Sequence, residues 1–319
     1  MHKKKVDNRR PLDFQEVRYK KTGNIIEVTS CSVHNSTCHI RKLDKDYYIY
    51  LPTGEVLKSK HIESRADNIS SVRASHSRLR DYINTNVTDT RNVRWCTLTY
   101  AENMTDTERL YTDFSKFNKR LQYYLKKQSL PKYEYIAAME PQKRGAWHIH
   151  LLLIFPTEAP YIPNETLAKI WSFGFVKITS LKDCDNVGAY LTAYLTDLEL
   201  NENEPSTNNT KAVKGKRFEK GARLHLYPPN FQLYRISKGI KPPTIERIPE
   251  SEAKKKVSTA MLTHETTIEL SVPSLDRPIV INKRYFNRIR KQSQIVCNGP
   301  LDDFERKVFG VLNDPPKRL

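Results

Sequence analysis

The stretch that decides the fold is residues 133–155, YEYIAAMEPQKRGAWHIHLLLIF. Apolar, β-branched and aromatic side chains fill 133–139 and again 147–155, which is typical of strands. The intervening segment, 141–145, is polar and contains a proline and a glycine, which favour a turn. The sequence therefore predicts two strands joined as a hairpin.

The segments on either side of this hairpin alternate between helix and strand. Upstream, 94–100 has the composition of a strand, and apolar residues recur at intervals of four and three in 105–124, which predicts an amphipathic helix. Downstream, helices are predicted at 164–171 and 185–200, with a strand at 175–179 between them. This order predicts an α+β fold in which helices pack on a mostly antiparallel sheet.

The outer segments give weaker signals. Short β-type runs at 24–28 and 47–51 predict a small β element, and the apolar spacing in 69–84 predicts a helix. Residues 201–216 are polar and lack periodicity, which predicts a mobile loop. Residues 244–319 show a strand pattern at 279–281 and no recognisable chemistry.

The chain is strongly basic. Lys and Arg outnumber Asp and Glu by 54 to 36, a formal net charge of +18 that favours a polyanionic partner. No apolar run approaches the roughly 20 residues that span a bilayer, and no apolar segment follows the basic N-terminus as in a secretory signal. The 5 scattered cysteines suit a reducing compartment. We expect a cytoplasmic protein that binds nucleic acid and no membrane.

Two histidines on the second strand of the hairpin are candidate metal ligands. Side chains alternate along a strand, so His148 and His150 lie on the same face. Glu140, at the end of the preceding strand, is the expected third ligand, and such a set leaves coordination positions open for substrate oxygens. An HxH pair by itself is more often two half-buried histidines that are satisfied by hydrogen bonds.

Two tyrosines in the last predicted helix are candidate nucleophiles. Tyr190 and Tyr194 are separated by one helical turn and so lie along one face. A phenol, with an ordinary pKa of about 10, attacks phosphorus only where its surroundings favour the phenolate, as a metal-bound phosphate does. The same spacing is also typical of the core-facing stripe of an amphipathic helix.

Three segments in sequence order resemble the three motifs of the HUH endonucleases. They are CTLTY at 96–100, WHIHLL at 147–152 and YLTAY at 190–194. Their order is similar to that of the replication initiators of rolling-circle plasmids and phages, because in conjugative relaxases the tyrosine precedes the histidines. Further segments resemble initiators of Gram-positive plasmids and integrated elements, namely 140–145, 171–176, 226–229 and 234–235.

The resemblance implies a division into three parts. Residues 91–240 would form the HUH nicking domain, an antiparallel sheet with a ferredoxin- or RRM-like palm. Residues 1–90 would be an N-terminal accessory segment, and residues 241–319 a C-terminal extension of unknown role.

The resemblance also implies a reaction. His148, His150 and Glu140 would hold Mn²⁺ or Mg²⁺, and a tyrosine would nick one strand of DNA at a replication origin. The 5′ phosphate would remain on the tyrosine, and the free 3′ hydroxyl would serve as a primer. Single-stranded origin DNA is then the substrate, and a host helicase and polymerase are the expected partners.

The family pattern also bears on the tyrosines. Relatives with a single nucleophile often carry a glutamate four residues before it, which makes Tyr194 the preferred first nucleophile and Tyr190 its partner. The sequence departs from the family at Ala193 and Asp197, where a lysine is common.

This departure keeps other functions open. Lys182 or Arg144 could replace the missing lysines, or the enzyme is weakened. The alternative is therefore a catalytically weakened DNA- or RNA-binding module with the same fold. A transposase of the same chemistry is a second rival, although such chains tend to be shorter.

Basic residues interleaved with aromatic residues follow the tyrosine helix. Between residues 211 and 241, 9 Lys and Arg residues accompany a single acid, Glu219. This mixture favours phosphate attraction with base stacking, although a solvated basic surface gives the same pattern. The candidate DNA-contacting residues are Arg144, Lys182, Lys214, Lys216, Arg217, Arg223 and Arg235.

Overall fold

The computed structural model describes most of the chain and divides it into two compact units. The described residues are 2–33, 39–59, 64–142, 144–179, 181, 186–194, 197–200, 210–213, 216–220, 223–271 and 277–289. The unit that carries the candidate site lies within Thr22–Asn24 and Ser64–Pro243. The other unit lies within Met1–Lys21, Ile25–Glu63 and Thr244–Leu319.

The described residues form 5 α-helices and 17 strands. The helices are α1 (Ile69–Asn86), α2 (Thr107–Lys127), α3 (Asn164–Trp171), α4 (Val187–Tyr194) and α5 (Glu250–Val257). The strands are β1 (His2–Val6), β2 (Glu16–Thr22), β3 (Ile25–Cys31), β4 (Ile40–Lys42), β5 (Tyr47–Tyr50), β6 (Glu55–Lys58), β7 (Val93–Tyr100), β8 (Glu134–Pro141), β9 (Trp147–Ile154), β10 (Gly174–Thr179), β11 (Asp197–Leu200), β12 (Thr210–Val213), β13 (Lys216–Lys220), β14 (Tyr234–Ile236), β15 (Thr244–Pro249), β16 (Met261–Ser271) and β17 (Ile279–Asn287).

The site-bearing unit is built on a five-stranded sheet in the order β10-β7-β9-β8-β14. Every neighbouring pair in it is antiparallel. The predicted hairpin lies near its centre, because β8 pairs with β9 so that Glu140 is opposite His148 and Ala138 is opposite His150. The predicted α+β class with an antiparallel sheet is confirmed.

One face of this sheet packs against α2 and α3. Leu98 and Ile149 of the sheet join Phe117 of α2 and Trp171 of α3 in one buried core cluster. Trp171 also donates a hydrogen bond from its ring Nε1 to the carbonyl oxygen of Thr99, at 3.1 Å. The tryptophan therefore fixes α3 to β7 by packing and by a directed polar contact.

The opposite face of the sheet packs against α1 and α4. Ile136 and Leu152 of the sheet form a second core cluster with Leu79 of α1 and Leu191 of α4. Because side chains alternate along β9, the two predicted histidine ligands share the face of Leu152. The candidate metal ligands and the tyrosine helix therefore lie on the same side of the sheet.

Two local predictions in this unit are wrong. The helix predicted at 185–200 ends at Tyr194, and Asp197–Leu200 forms β11, which pairs with β13. Within the loop predicted at 201–216, Thr210–Val213 forms β12, also paired with β13. Residues 185, 201–209 and 214–215 lie outside the described residues. The partners of both strands are distant in sequence, so local periodicity could not reveal them.

The second unit combines strands from both terminal regions. Its six-stranded sheet has the order β1-β16-β17-β3-β2-β15, and α5 contributes Ala253 and Val257 to its core. The β-type runs predicted at 24–28 and 47–51 are present as β3 and β5. They do not form one small β element, because β3 belongs to this sheet whereas β5 pairs with β4 and β6 in a separate three-stranded sheet. The strand predicted at 279–281 is confirmed as the start of β17.

The compact units divide the chain at residues other than the predicted domain bounds. Helix α1 lies within 1–90 by prediction, yet it belongs to the site-bearing unit. The accessory segment, the nicking domain and the C-terminal extension stay predictions as functional regions. Among the described residues, no helix combines the length and the apolar composition that crossing a membrane requires.

Candidate metal centre

Glu140, His148 and His150 converge on the α1/α4 face of the sheet. Glu140 Oε2 lies 3.0 Å from His148 Nε2 and 2.9 Å from His150 Nε2. One ligand atom from each residue can be chosen so that all three lie within 4.8 Å of one another. The convergence predicted from the sequence is therefore present.

The cluster is shielded from solvent. The side chains of Glu140, His148 and His150 are 3%, 14% and 15% exposed. Burial alone would raise the pKa of Glu140, but hydrogen bonds from both histidines and the charge of Arg223 lower it to about 2. Burial lowers the pKa of His148, although its hydrogen bond to Glu140 opposes that shift. At neutral pH the cluster thus offers a carboxylate and a neutral His148, the states that bind a divalent metal.

The outer nitrogens of the two imidazoles also have polar neighbours. Gln142 Nε2 lies 3.5 Å from His148 Nδ1, and Thr97 Oγ1 lies 3.5 Å from His150 Nδ1. A metal on Nε2 would leave the proton on Nδ1, so each neighbour would have to accept it. The Thr97 hydroxyl can do so directly, whereas the amide oxygen of Gln142 can do so only after the amide turns and gives up its hydrogen bond from Arg144.

Arg223 contacts the outer oxygen of the carboxylate. Its guanidinium Nη2 forms an ion pair with Glu140 Oε1, and its Nη1 donates a hydrogen bond to the carbonyl oxygen of Pro141 at 3.4 Å. The Arg223 side chain is 15% exposed. The sequence predicts a DNA contact for this arginine, whereas the structure places it in the layer directly behind the candidate ligands.

Helix α4 is held over this face through α1. Asn84 of α1 accepts a hydrogen bond from the backbone N–H of Gly188 at 2.7 Å and donates one to Asn186 Oδ1 at 3.0 Å. A Cβ atom at Gly188 would lie only 2.6 Å from the carbonyl oxygen of Arg80. Glycine is therefore required at this close approach between the two helices.

The two candidate nucleophiles lie on α4. Its backbone includes Tyr190 and Tyr194, and their side chains are outside the described part of the structure. Val187 and Leu191 of the same helix are buried in the core cluster on the metal-ligand face. The tyrosine helix therefore packs on the same face of the sheet as Glu140, His148 and His150.

The other predicted DNA contacts are dispersed. Arg144 is exposed, and its Nε donates a hydrogen bond to Gln142 Oε1 at 3.1 Å, next to the cluster. Arg235 lies on the opposite face, with its guanidinium carbon 3.7 Å from the ring centroid of Tyr111. Lys182 and Lys214 lie outside the described residues, and β13 includes Lys216 and Arg217, of which only the backbone is described.

Two further residues beside the cluster were missed by the sequence reasoning. His76 of α1 and Tyr227 line the same small cavity as Glu140. Burial lowers the pKa of His76 to about 4, and its Nδ1 has no hydrogen-bond partner among the described residues. Burial also raises the pKa of Tyr227. A single histidine in a helix gives no periodic signal, and Tyr227 stood out only as part of a flanking segment.

As the pH falls from 7 to 4, we expect the free energy of unfolding to decrease less in the His76→Leu protein than in the unmodified protein. The unfolded chain binds this proton near pH 6.5 but the folded chain only near pH 4. Folded stability therefore falls as the pH drops through this window, by about 3 kcal/mol at pH 4. Urea denaturation between pH 7 and pH 4 measures the free energy of unfolding. His225→Leu, at an exposed position, is the control, and parallel profiles for His76→Leu and the unmodified protein would contradict the expectation.

Comparison with known protein families gives one match. Residues 93–199 match the model of a family described as replication-associated protein ORF2. No match was found among curated proteins or among solved structures. The matched segment, about a third of the chain, runs from the start of β7 into β11. The part of this chain that carries the Glu140, His148 and His150 cluster and the tyrosine helix is thus similar to a family of replication-associated proteins.

Proposed function

We propose that this chain is a replication initiator of the HUH type, which nicks one DNA strand at an origin by metal-assisted tyrosine attack. The observation that carries the proposal is the convergence of Glu140, His148 and His150 on the sheet face that α4 covers. The similarity of 93–199 to replication-associated proteins supports it. The enzyme would be a site-specific single-strand endonuclease and strand transferase.

The donor set fits a divalent metal. His148 Nε2, His150 Nε2 and Glu140 Oε2 would hold Mn²⁺ or Mg²⁺, and the two nitrogens favour Mn²⁺ because Mg²⁺ is bound mainly through oxygen. When bound, the metal polarises the scissile phosphate and stabilises the charge that develops on it. The buried walls of the site keep competing water away from these ligands.

The tyrosines would supply the nucleophile. A phenolate oxygen forms a bond to phosphorus, the bond from phosphorus to the 3′ oxygen breaks, and that oxygen takes up a proton to become the free 3′ hydroxyl. Helical spacing puts positions 190 and 194 on the stripe of α4 that contains Val187 and Leu191, which supports attack from this helix. Tyr194 would attack first, and Tyr190 would resolve the product.

Single-stranded DNA at an origin is the proposed substrate. The net charge of +18 supports a polyanionic partner, and the exposed Arg144 lies beside the cluster. The free 3′ hydroxyl would be extended by a host polymerase, with a host helicase opening the duplex.

Covalent adduct formation tests the proposal. Incubation with Mn²⁺ and a pool of labelled single-stranded oligonucleotides, including the parent element's origin, should give a protein–DNA band on a denaturing gel. Tyr194→Phe is expected to reduce this band at least about tenfold, Tyr190→Phe less, and the double variant should give none.

The control is Tyr123→Phe, which changes a tyrosine that is 70% exposed on α2. EDTA should remove the band from all proteins. A double variant that forms adduct at full yield would overturn tyrosine attack. An unmodified chain that binds DNA but forms no adduct would instead support the weakened binding module.

A further inference from the structure

Arg223 is the one cation in ion-pair contact with Glu140 among the described residues, apart from the histidines themselves. The carboxylate is 3% exposed, and a buried charge is costly unless it is paired and hydrogen-bonded. The two histidines satisfy Oε2 only, so Oε1 depends on the guanidinium. Arg223 thus pairs with Oε1, the carboxylate oxygen that the two imidazoles do not contact.

The guanidinium is itself fixed by a second contact. Its Nη1 reaches the carbonyl oxygen of Pro141, the residue after Glu140, at 3.4 Å. One planar group therefore spans the side chain of Glu140 and the adjoining backbone at the end of β8. A guanidinium has several N–H donors fixed in one plane, so it can contact both oxygens at once, which the single ammonium group of a lysine does less well.

We propose that Arg223 is the positioning residue of the metal centre. By holding Glu140 Oε1, it keeps Oε2 directed at the nitrogens of His148 and His150, so that the carboxylate presents one oxygen to the metal. This inference rests on the proposed function, because it assigns a role at the same site. It also gives Arg223 a different role from the DNA contact that the sequence predicts for this residue and for the basic residues before it.

Two opposing effects decide the sign of the expected change. The positive charge of Arg223 repels a cation, but its ion pair with Oε1 neutralises most of that charge locally. Without Arg223 the buried carboxylate can rotate, so that Oε2 is no longer held toward the nitrogens of His148 and His150, and this change weakens metal binding. Partners in this outer layer typically contribute roughly 10–100-fold to metal affinity, so the loss of orientation outweighs the relief of repulsion.

The experiment measures Mn²⁺ affinity of the full chain without DNA, by electron paramagnetic resonance of free and bound Mn²⁺. Arg223→Met is expected to weaken binding at least about tenfold, and Arg223→Lys should recover part of the loss and restore part of the bound-ion spectrum. Arg91→Met, at an arginine whose side chain is 77% exposed, is the matched control and should bind as the unmodified chain does.

The outcomes separate this inference from the proposed function. Mn²⁺ binding by Arg223→Met at unmodified affinity would overturn the positioning role, and so would a loss of DNA affinity in EDTA with metal affinity unchanged. If Arg223→Met fails to fold by circular dichroism, Arg223→Lys decides: affinity equal to that of the unmodified chain also overturns it. If the unmodified chain binds no Mn²⁺, the three residues do not form a metal centre, and both proposals are wrong.

Discussion

Replacement of both His148 and His150 by alanine is expected to abolish Mn²⁺ binding and covalent adduct formation together. Each histidine offers one of the nitrogens that converge with Glu140 Oε2. With both removed, a single carboxylate remains, already paired with Arg223. The loss of Mn²⁺ affinity should exceed the roughly 10–100-fold that the loss of an outer-layer partner costs. Adduct formation should fall below detection, because the charge on the scissile phosphate would no longer be stabilised.

Calorimetric titration with Mn²⁺ and the denaturing gel give the two readouts. His225→Ala, at an exposed histidine, is the control for general effects of removing an imidazole. A second double variant, His148→Gln/His150→Gln, retains hydrogen-bond donors for Glu140, which separates loss of the metal from loss of the fold. Adduct formation at unmodified yield by a folded double variant would show that the chemistry does not need this centre.

Trp171→Ala is expected to lower the free energy of unfolding by about 3–5 kcal/mol. The tryptophan is fully buried, and its ring lies 5.1 Å from Tyr100 and 5.8 Å from Phe117, both at edge-to-face angles. Alanine would leave a large cavity between α3 and the sheet and would remove the hydrogen bond to Thr99. Because β7 also carries Thr97 beside His150, loosening it would reach the candidate metal centre.

Urea denaturation monitored by circular dichroism measures this effect. Tyr123→Ala removes an aromatic ring of similar class from α2, where the side chain is 70% exposed, and should change stability by less than about 0.5 kcal/mol. Trp171→Phe should retain much of the packing and fall between the two. Equal stability of the Trp171→Ala and Tyr123→Ala proteins would mean that α3 contributes little to the core.

Elements built from neighbouring segments could be predicted from the sequence. The hairpin of β8 and β9 and helix α2 follow from local periodicity, because their partners or their buried faces lie within one short stretch. The six-stranded sheet could not be predicted in the same way. Its strand β1 pairs His2 with Ser271, and nothing in the spacing of either segment identifies so distant a partner. The sequence predicts a helix that continues beyond Tyr194, the end of α4, because β11 is stabilised by hydrogen bonds to β13, a partner that local periodicity does not reveal.

The same distinction between near and distant segments applies to the residues of the candidate site. Glu140 and His148 are opposite one another because a short turn sets the register of β8 and β9, so the sequence was enough to group them. Arg223 and His76 come from segments more than 50 residues away from the hairpin. Their place behind Glu140 depends on how the chain returns to the sheet, which no local pattern records.

The interleaved six-stranded sheet has a consequence for biosynthesis. Strands β1 to β3 emerge from the ribosome long before β16 and β17. In the finished sheet β16 pairs with β1, and β17 pairs with β3. Domains tend to fold as they emerge, so these early strands must wait with unpaired edges while the whole site-bearing unit is made. A chain interrupted after Pro243 would lose β15, β16 and β17, half the strands of that sheet. Such a fragment would present open edges to other nascent chains, and open edges promote aggregation.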